Sequence, residues 1–97
     1  MEAIEFSWDA RKARENLKKH RVTFEEASTV FYDENAIEFF DPEHSRDEER
    51  FLMLGLSGRL RIMVVSYCLR KGGSEIRIIS ARKATKKEEK VYIQGKR

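Results

Sequence analysis

Hydrophobic positions near the start of the chain follow strand spacing first and helix spacing next. Residues 4–8 alternate apolar and polar side chains, which predicts a short strand. Residues 10–20 place their apolar side chains on one narrow face, and Asp9 before them is a typical N-cap, so we predict a helix there. The Thr-x-x-Glu capping box that begins at Thr23 predicts a second helix through about residue 31.

The rest of the chain is dominated by strand patterns joined by short turns. Four strands are predicted, over residues 36–40, 50–56, 60–69 and 75–81. A second capping box, beginning at Thr85, predicts a C-terminal helix. We therefore expect an α+β fold in a single domain over residues 1–97: a small curved antiparallel sheet of four to five strands with two N-terminal helices and one C-terminal helix. The N-terminal helices should cover one face of the sheet and leave the other free for a ligand.

Composition narrows the class of protein and the chemistry available to it. The chain has 97 residues, one cysteine and two histidines, and no apolar run approaches the ~18 residues of a membrane span. Its first residues do not resemble a signal peptide, so we expect a cytoplasmic protein with no membrane partner. A P-loop, a glycine-rich dinucleotide turn and an HExxH motif are all missing from the sequence, so we expect neither a cofactor nor a metal ion.

Charge is distributed unevenly around a net of +3. Residues 1–50 carry 8 Lys and Arg against 14 Asp and Glu, whereas residues 51–97 carry 12 against 3. A basic surface of this kind attracts phosphate backbones, although two solvated faces of opposite charge would give the same totals. Charge alone therefore leaves a nucleic-acid partner and simple solubility as equal alternatives.

Basic side chains on the predicted strands are the main candidates for a binding site. Arg61 and Arg77 interrupt otherwise apolar alternation, so they should mark the open face of the sheet. Guanidinium groups that converge there would cradle a phosphate, or they could instead pair with carboxylates on neighbouring strands. Strict alternation gives Arg77 and Arg82 opposite parity, so they share a face only if a bulge intervenes or if Arg82 lies beyond the strand end.

Two further side chains carry alternatives of their own. His20 ends the first predicted helix, where a histidine commonly packs or interacts with the helix dipole, and its imidazole is also able to act as a general acid or base. Tyr67 has the same parity as Arg61 and needs a partner for its phenol group, so it is either a core residue or part of a binding face. The residues themselves leave both alternatives open.

A series of motifs, taken in order, resembles the BrnT family of type II toxins. The resemblance spans about residues 4–92, and its most specific part is the block Ile76-Arg77-Ile78-Ile79-Ser80-Ala81-Arg82-Lys83-Ala84-Thr85. The other matching motifs are Phe6-Ser7-Trp8-Asp9, Lys12, Asn16, Lys19-His20, Val22-Thr23-Phe24-Glu25-Glu26-Ala27, Asp41-Pro42-Glu43-His44-Ser45 and Glu49-Arg50. One position departs from the family: Arg21 stands where a glycine usually follows the Lys-His pair and supplies a left-handed helix end.

This resemblance implies a RelE-like ribonuclease fold and a toxin that cleaves RNA and inhibits translation. It also implies a BrnA-like antitoxin with a ribbon-helix-helix DNA-binding part, which holds the toxin inactive in a heterotetramer of two toxins and two antitoxins. On the same basis, operator DNA is bound only through the toxin–antitoxin complex, which represses its own operon.

The residue pattern and the resemblance together identify candidate site residues. The catalytic candidates are His20, Glu49, Arg50, Arg77, Arg82 and Lys83. The candidates for RNA binding are Arg61, Tyr67, Lys86 and Lys87. In the expected reaction a ribose 2′-hydroxyl attacks the adjacent phosphate without a metal ion, arginines neutralise the charge that develops on the phosphorane, and Lys83 or His20 transfers protons, with Tyr67 or Glu49 in reserve.

Two other functions stay open. The same basic face could serve a non-catalytic module that binds nucleic acid or antitoxin and acts in operon repression, because no general base is obvious. A stand-alone DNA-binding regulator is less well supported, since helix-turn-helix spacing does not stand out. We expect an acidic or amphipathic segment of the antitoxin to cover the basic face. The acidic stretch over residues 25–49 either docks the antitoxin or shields its own side of the molecule, and we favour shielding.

Overall fold

Five strands and three helices form the chain in the computed structural model, which describes residues 4–95. In chain order they are β1 (Glu5–Ser7), α1 (Ala10–His20), α2 (Phe24–Thr29), β2 (Ile37–Phe40), β3 (Arg50–Leu56), β4 (Ile62–Arg70), β5 (Glu75–Lys83) and α3 (Lys86–Gly95). Single 3₁₀ turns lie at Val30–Tyr32, Pro42–His44 and Lys71–Gly73. None of the helices within residues 4–95 has the length and apolar character needed to span a bilayer.

All five strands join one sheet in the order β1-β5-β4-β3-β2. Strands β2 to β5 form the antiparallel meander that the short turns predict, and β1 adds beside β5 in parallel. The predicted α+β fold is therefore confirmed, with a sheet that is mixed rather than wholly antiparallel. The parallel pair is possible because most of the chain lies between β1 and β5, so no tight turn fixes their relative direction.

Local capping fixes where the first two helices begin. The Asp9 carboxylate accepts a hydrogen bond from the Lys12 amide at 3.0 Å, and the Thr23 hydroxyl accepts one from the Glu26 amide at 3.0 Å. α1 ends at Arg21, which adopts the left-handed conformation with a φ of 59°. A glycine would take this conformation without a steric penalty on Cβ, so Arg21 closes the helix at some cost in strain.

Each face of the sheet carries its own hydrophobic cluster. On the face that α1 and α2 cover, Phe24 of α2 and the strand residues Val65 and Ile78 are buried. On the other face, Tyr92 of α3 packs with Leu54 and its neighbours. The prediction that the two N-terminal helices cover one face is confirmed, and α3 covers only part of the second face.

One extra residue in β5 decides which side chains share that second face. The register between β4 and β5 shifts by one residue between Ser66 and Tyr67, which leaves Ile79 without a residue opposite it. A bulge of this kind reverses the alternation of every residue beyond it. As a result Arg77 and Arg82 point to the same face despite their opposite parity in the sequence.

Candidate active site

A small polar cavity, which we call the arginine cavity, opens where the start of α1 meets the ends of β3, β4 and β5. Its volume is about 120 Å³. The residues that line it are Asp9, Lys12, Glu48, Arg50, Arg70, Arg77, Ile78 and Ile79. Four of these side chains are cations and two are carboxylates, so the cavity has a net positive charge and suits an anionic ligand.

Strand register brings the arginines of this cavity together. Arg50 lies opposite Cys68 on β4, and Cys68 lies opposite Arg77 on β5, so the three residues form one row across three strands. Arg70 is two residues beyond Cys68 and therefore points to the same face. Because neighbouring strands are about 4.8 Å apart, guanidinium groups from all three strands can reach one ligand. Cys68 is 1% exposed at the centre of the row, and burial raises the pKa of its thiol.

The arginines are only partly neutralised by carboxylates. The buried Nε of Arg50 has no hydrogen-bond partner in the described part of the chain. Within residues 4–95, neither Arg50 nor Arg77 forms an ion pair, whereas Arg70 pairs loosely with Glu48 at 3.6 Å between Nη2 and Oε2. A buried donor without a partner costs free energy that a bound anion would recover. The arrangement therefore favours binding of a phosphate group.

A second, shallower cavity continues the first along α1. It has a volume of about 180 Å³ and is lined by Lys12, Glu15, Asn16, Lys19, His20, Ile79 and Ser80. Lys12 and Ile79 line both cavities, so together the two form one surface that we call the α1–β5 groove. The structure thus brings three of the predicted catalytic residues, His20, Arg50 and Arg77, into the same groove.

Asn16 holds α1 against the edge of β5 that forms this groove. Its side-chain amide donates to the backbone oxygens of Val22 at 3.0 Å and Ala81 at 2.8 Å, and its carbonyl accepts from the Ala81 amide at 3.0 Å. The side chain therefore replaces a neighbouring strand at a position that β1 does not reach. Because Asn16 is only 6% exposed and firmly bonded, it fixes Lys12 and His20 relative to the sheet.

Arg82 lies on the same face as the arginine cavity but outside it. Its guanidinium bonds both carboxylate oxygens of Glu88, at 2.7 and 3.0 Å, and this pairing lowers the pKa of Glu88 to about 2. Arg82 faces Val64 on β4, four residues from the partner of Arg77, which places the two arginines roughly 13 Å apart along the strand. Arg82 is thus paired with Glu88 and does not line the cavity that contains Arg77.

Four other predicted residues occupy surfaces outside the groove. Alternation directs Lys83 to the face opposite Arg82, and Lys86 and Lys87 are exposed in the first turn of α3. Glu49 is exposed and lines neither cavity of the groove, whereas its neighbour Glu48 lines the arginine cavity. The acidic side chain near the arginines is therefore one position earlier than the sequence suggests.

Two of the predicted RNA-binding residues are bonded to carboxylates of the protein. The Arg61 guanidinium donates to both carboxylate oxygens of Glu26, which is 6% exposed, and these bonds lower the pKa of Glu26. Tyr67 is 1% exposed, its hydroxyl donates to Glu38, and burial raises its pKa. The buried Tyr67 ring offers no surface to RNA, which argues against the predicted binding role and favours the core alternative. Arg61 pairs with the Glu26 carboxylate, which is the alternative to phosphate binding that the sequence left open.

Three residues of the arginine cavity have positions that the sequence does not reveal. Lys12 belongs to the motifs shared with the BrnT family, and the packing of α1 places it in the same cavity as Arg77. Arg70 becomes a candidate once β4 is known to lie between β3 and β5, because it then shares a face with Arg50. Glu48 carries no comparable signal, since it lies in a loop without regular alternation.

Comparison with known structures shows the same fold in a bacterial toxin. The chain matches the crystal structure of the Brucella abortus ribonuclease toxin BrnT with a TM-score of 0.64 and 22% sequence identity. The match covers 87% of this chain and 100% of the other. A sequence comparison with curated proteins gives no match.

The sequence itself places the chain in a class of toxins. Residues 8–88 match the family model described as the ribonuclease toxin, BrnT, of type II toxin-antitoxin systems. The fold and the matched region thus define a ribonuclease toxin of a type II system. More specifically, the chain belongs to the BrnT family, and this membership implies an antitoxin as its partner.

Proposed function

We propose that the chain cleaves RNA in the α1–β5 groove without a metal ion, by attack of a ribose 2′-hydroxyl on the adjacent phosphate. The products are a 2′,3′-cyclic phosphate and a free 5′-hydroxyl. The observation that carries this proposal is the row of Arg50 and Arg77, two guanidinium groups that lie across one cavity without carboxylate partners in the described chain. Guanidinium groups match the geometry of phosphate oxygens and stay charged at any working pH.

Arg50 and Arg77 hold the reacting phosphate and stabilise its transition state. As the 2′-oxygen attacks, negative charge accumulates on the phosphorane oxygens, and fixed cations oppose that charge. Holding the sugar and phosphate in line also removes much of the entropic barrier. Lys12 lines both cavities, so it joins the arginines in holding the reacting phosphate on the side nearer His20.

Glu48 and His20 transfer the protons in this mechanism. The Glu48 carboxylate lies in the arginine cavity beside Arg70 and the Cys68 thiol, and it accepts the proton of the 2′-hydroxyl. His20 lies in the adjoining cavity and protonates the departing 5′-oxygen. The remaining nominated cations contact flanking RNA rather than the reacting phosphate; they are Arg82, Lys83, Lys86 and Lys87.

Cleavage of a defined RNA in the presence of EDTA tests the role of the arginines. Replacing Arg77 by alanine should slow cleavage about 100-fold, equivalent to about 3 kcal/mol of transition-state stabilisation. The matched control Arg59→Ala removes an exposed arginine outside the groove and should leave the rate unchanged. RNA that stays intact, or that is cut only after a divalent ion is added, contradicts the proposal. RNA that is bound and never cut would favour the non-catalytic module.

Neighbouring glutamates provide a matched test of the proposed base. Glu48→Gln should lower kcat by about 100-fold and remove the acidic limb of the pH–rate profile. Glu49→Gln changes the same chemistry one residue away, outside the cavity, and should behave as the unmodified protein. Equal activity in the two variants would assign proton abstraction to another group.

In the cell, we propose that RNA cleavage takes place in the cytoplasm and inhibits translation until a BrnA-like ribbon-helix-helix antitoxin blocks it. The proposed complex contains two toxins and two antitoxins and binds operator DNA through the antitoxin. The antitoxin that the family implies supports this proposal. Inducible expression should arrest bacterial growth, and the adjacent reading frame should relieve the arrest. Continued growth with the toxin alone, or a purified complex of different mass, would contradict it.

A further inference from the structure

The edge of the sheet opposite β1 carries apolar surface that RNA cleavage does not use. β2 is the last strand of the sheet, and within residues 4–95 it pairs only with β3. Phe39 and Phe40 are 41% and 51% exposed on this strand. Edge strands usually carry lysine, proline or a bulge, because their unpaired backbone groups recruit other strands. β2 has none of these, and Glu38 is its one charged residue.

The free backbone groups of β2 can be identified from its pairing with β3. The Asp41 amide donates to the Arg50 oxygen at 2.9 Å, immediately after the Phe40–Phe51 pair. Hydrogen-bonded and non-hydrogen-bonded pairs alternate along an antiparallel ladder. The backbone groups of Phe39 therefore face β3, whereas those of Glu38 and Phe40 face outward and are available to another strand.

Both faces of β2 offer an aromatic ring to such a strand. Phe39 lies opposite Leu52, on the face that α3 partly covers. Phe40 lies opposite Phe51 on the other face, with their ring centroids 5.7 Å apart. An added strand has side chains of alternating direction, so it can cover one ring from each face while its backbone continues the sheet.

Charge around β2 selects the chemistry of the partner. Arg46 is the one lysine or arginine among residues 33–49, whereas the exposed carboxylates of this segment are Glu34, Glu38, Glu43, Asp47, Glu48 and Glu49. This surface repels the phosphate backbone of RNA. It also disfavours a second copy of the chain, because pairing β2 with β2 would bring two acidic segments together. An extended segment that combines apolar residues with lysine or arginine is complementary to both the exposed aromatic rings and the carboxylates around β2.

We propose that β2 is the docking edge for the antitoxin, which adds an extended segment to the sheet as a sixth strand. Apolar side chains of that segment cover Phe39 and Phe40, and its basic residues face the surrounding carboxylates. The acidic stretch thus docks the antitoxin rather than only shielding this side. The proposal rests on the antitoxin that the family implies, and it adds the surface and the partner chemistry. Because β2 leads directly into the loop that carries Glu48, a strand bound there is anchored beside the arginine cavity.

Lysine substitutions on the edge test the proposal. The toxin and the protein encoded by the adjacent reading frame are purified, and their affinity is measured by calorimetry. Phe39→Lys combined with Phe40→Lys should weaken binding about 100-fold or more, because it removes two aromatic contacts and repels a basic strand. The control Leu60→Lys changes another exposed apolar residue, which is 79% exposed, and should bind normally. Unchanged affinity in the double variant, with the protein folded by circular dichroism, overturns the proposal.

Amide hydrogen exchange on the unmodified pair gives a second test that does not depend on the variants folding. Exchange at Glu38 and Phe40 should slow when the antitoxin binds, whereas Phe39 is already protected by β3. Protection elsewhere with none at these two amides overturns the proposal, as does the same protection caused by RNA or by toxin concentration alone. RNA cleavage by the double variant is measured in parallel. Loss of antitoxin binding by a protein that never cuts RNA would support the docking edge while rejecting the proposed nuclease.

Discussion

Replacing Asn16 by alanine tests how the groove is held together. The change removes the bonds to the Val22 and Ala81 oxygens and from the Ala81 amide, of 3.0, 2.8 and 3.0 Å, and leaves those three backbone groups without their partner. Each lost bond costs about 1 kcal/mol, and a buried group left unsatisfied adds to that cost. We therefore expect the free energy of unfolding to fall by about 3–4 kcal/mol. For a domain of this size the corresponding drop in Tm is roughly 15–25 °C.

Urea unfolding followed by circular dichroism measures this loss. Asn35→Ala is a suitable control, because Asn35 is half-buried in a turn and its side chain makes no hydrogen bond within residues 4–95. A loss below about 1 kcal/mol for Asn16→Ala, or an equal loss for the two variants, would refute the role given to Asn16.

The isosteric change Asn16→Asp adds a pH dependence to the same test. An ionised carboxylate can still accept from the Ala81 amide but repels the two backbone oxygens, whereas a protonated carboxyl can donate to one of them. Folding should therefore raise the pKa of the introduced acid. This variant should be more stable in acid and lose stability as the pH rises through that folded-state pKa.

Three further substitutions have expected effects on stability. Glu88→Gln should lower the free energy of unfolding by about 1 kcal/mol near pH 7, since solvent screens the partly exposed pair of Glu88 and Arg82. Folding lowers the pKa of Glu88 from 4.5 to about 2, so the ion pair stabilises the protein above the ordinary pKa. In urea titrations, the difference in stability between this variant and the unmodified protein should therefore vanish as the pH falls to about 2. Gly55→Ala would place a Cβ 2.8 Å from Val30 Cγ1 and should lower the urea midpoint by an amount equivalent to about 1–3 kcal/mol. Arg61→Ala leaves the buried Glu26 carboxylate unpaired and should cost about 3 kcal/mol while RNA cleavage by the folded protein is unchanged; a large loss of cleavage without a loss of stability would return Arg61 to the RNA-binding surface.

Features that depend on neighbouring residues are well predicted by the sequence. α1 begins after Asp9 and α2 after Thr23, as predicted, because both caps are hydrogen bonds between residues three apart. β3 also has its predicted bounds, Arg50–Leu56. The direction of β1 was not predictable in this way, because its partner β5 is about seventy residues away in the chain and no turn chemistry links them.

The site illustrates the same limit at the level of side chains. Arg50 and Arg77 are recognisable from the sequence, but their common row depends on the register of β4 with both neighbours. The buried position of Tyr67 follows from the packing of α2 and the turn after it, and pattern alone cannot distinguish the buried face of a strand from an open one. Glu48 lines the arginine cavity where Glu49 was the predicted candidate. Both residues lie in a loop, where no periodicity indicates which of two adjacent side chains faces the cavity.

The β-bulge at Ile79 divides β5 into two halves whose arginines have different partners. Before it, Arg77 is left available to a ligand; after it, Arg82 is committed to securing α3 through Glu88. Deleting Ile79 would reverse the direction of the side chains that follow it in β5. Arg82 would then point to the face covered by α1 and α2, and Ala81 would move from that face to the face of α3. A single position thus leaves one arginine facing a cavity and places the other in an ion pair that joins β5 to α3.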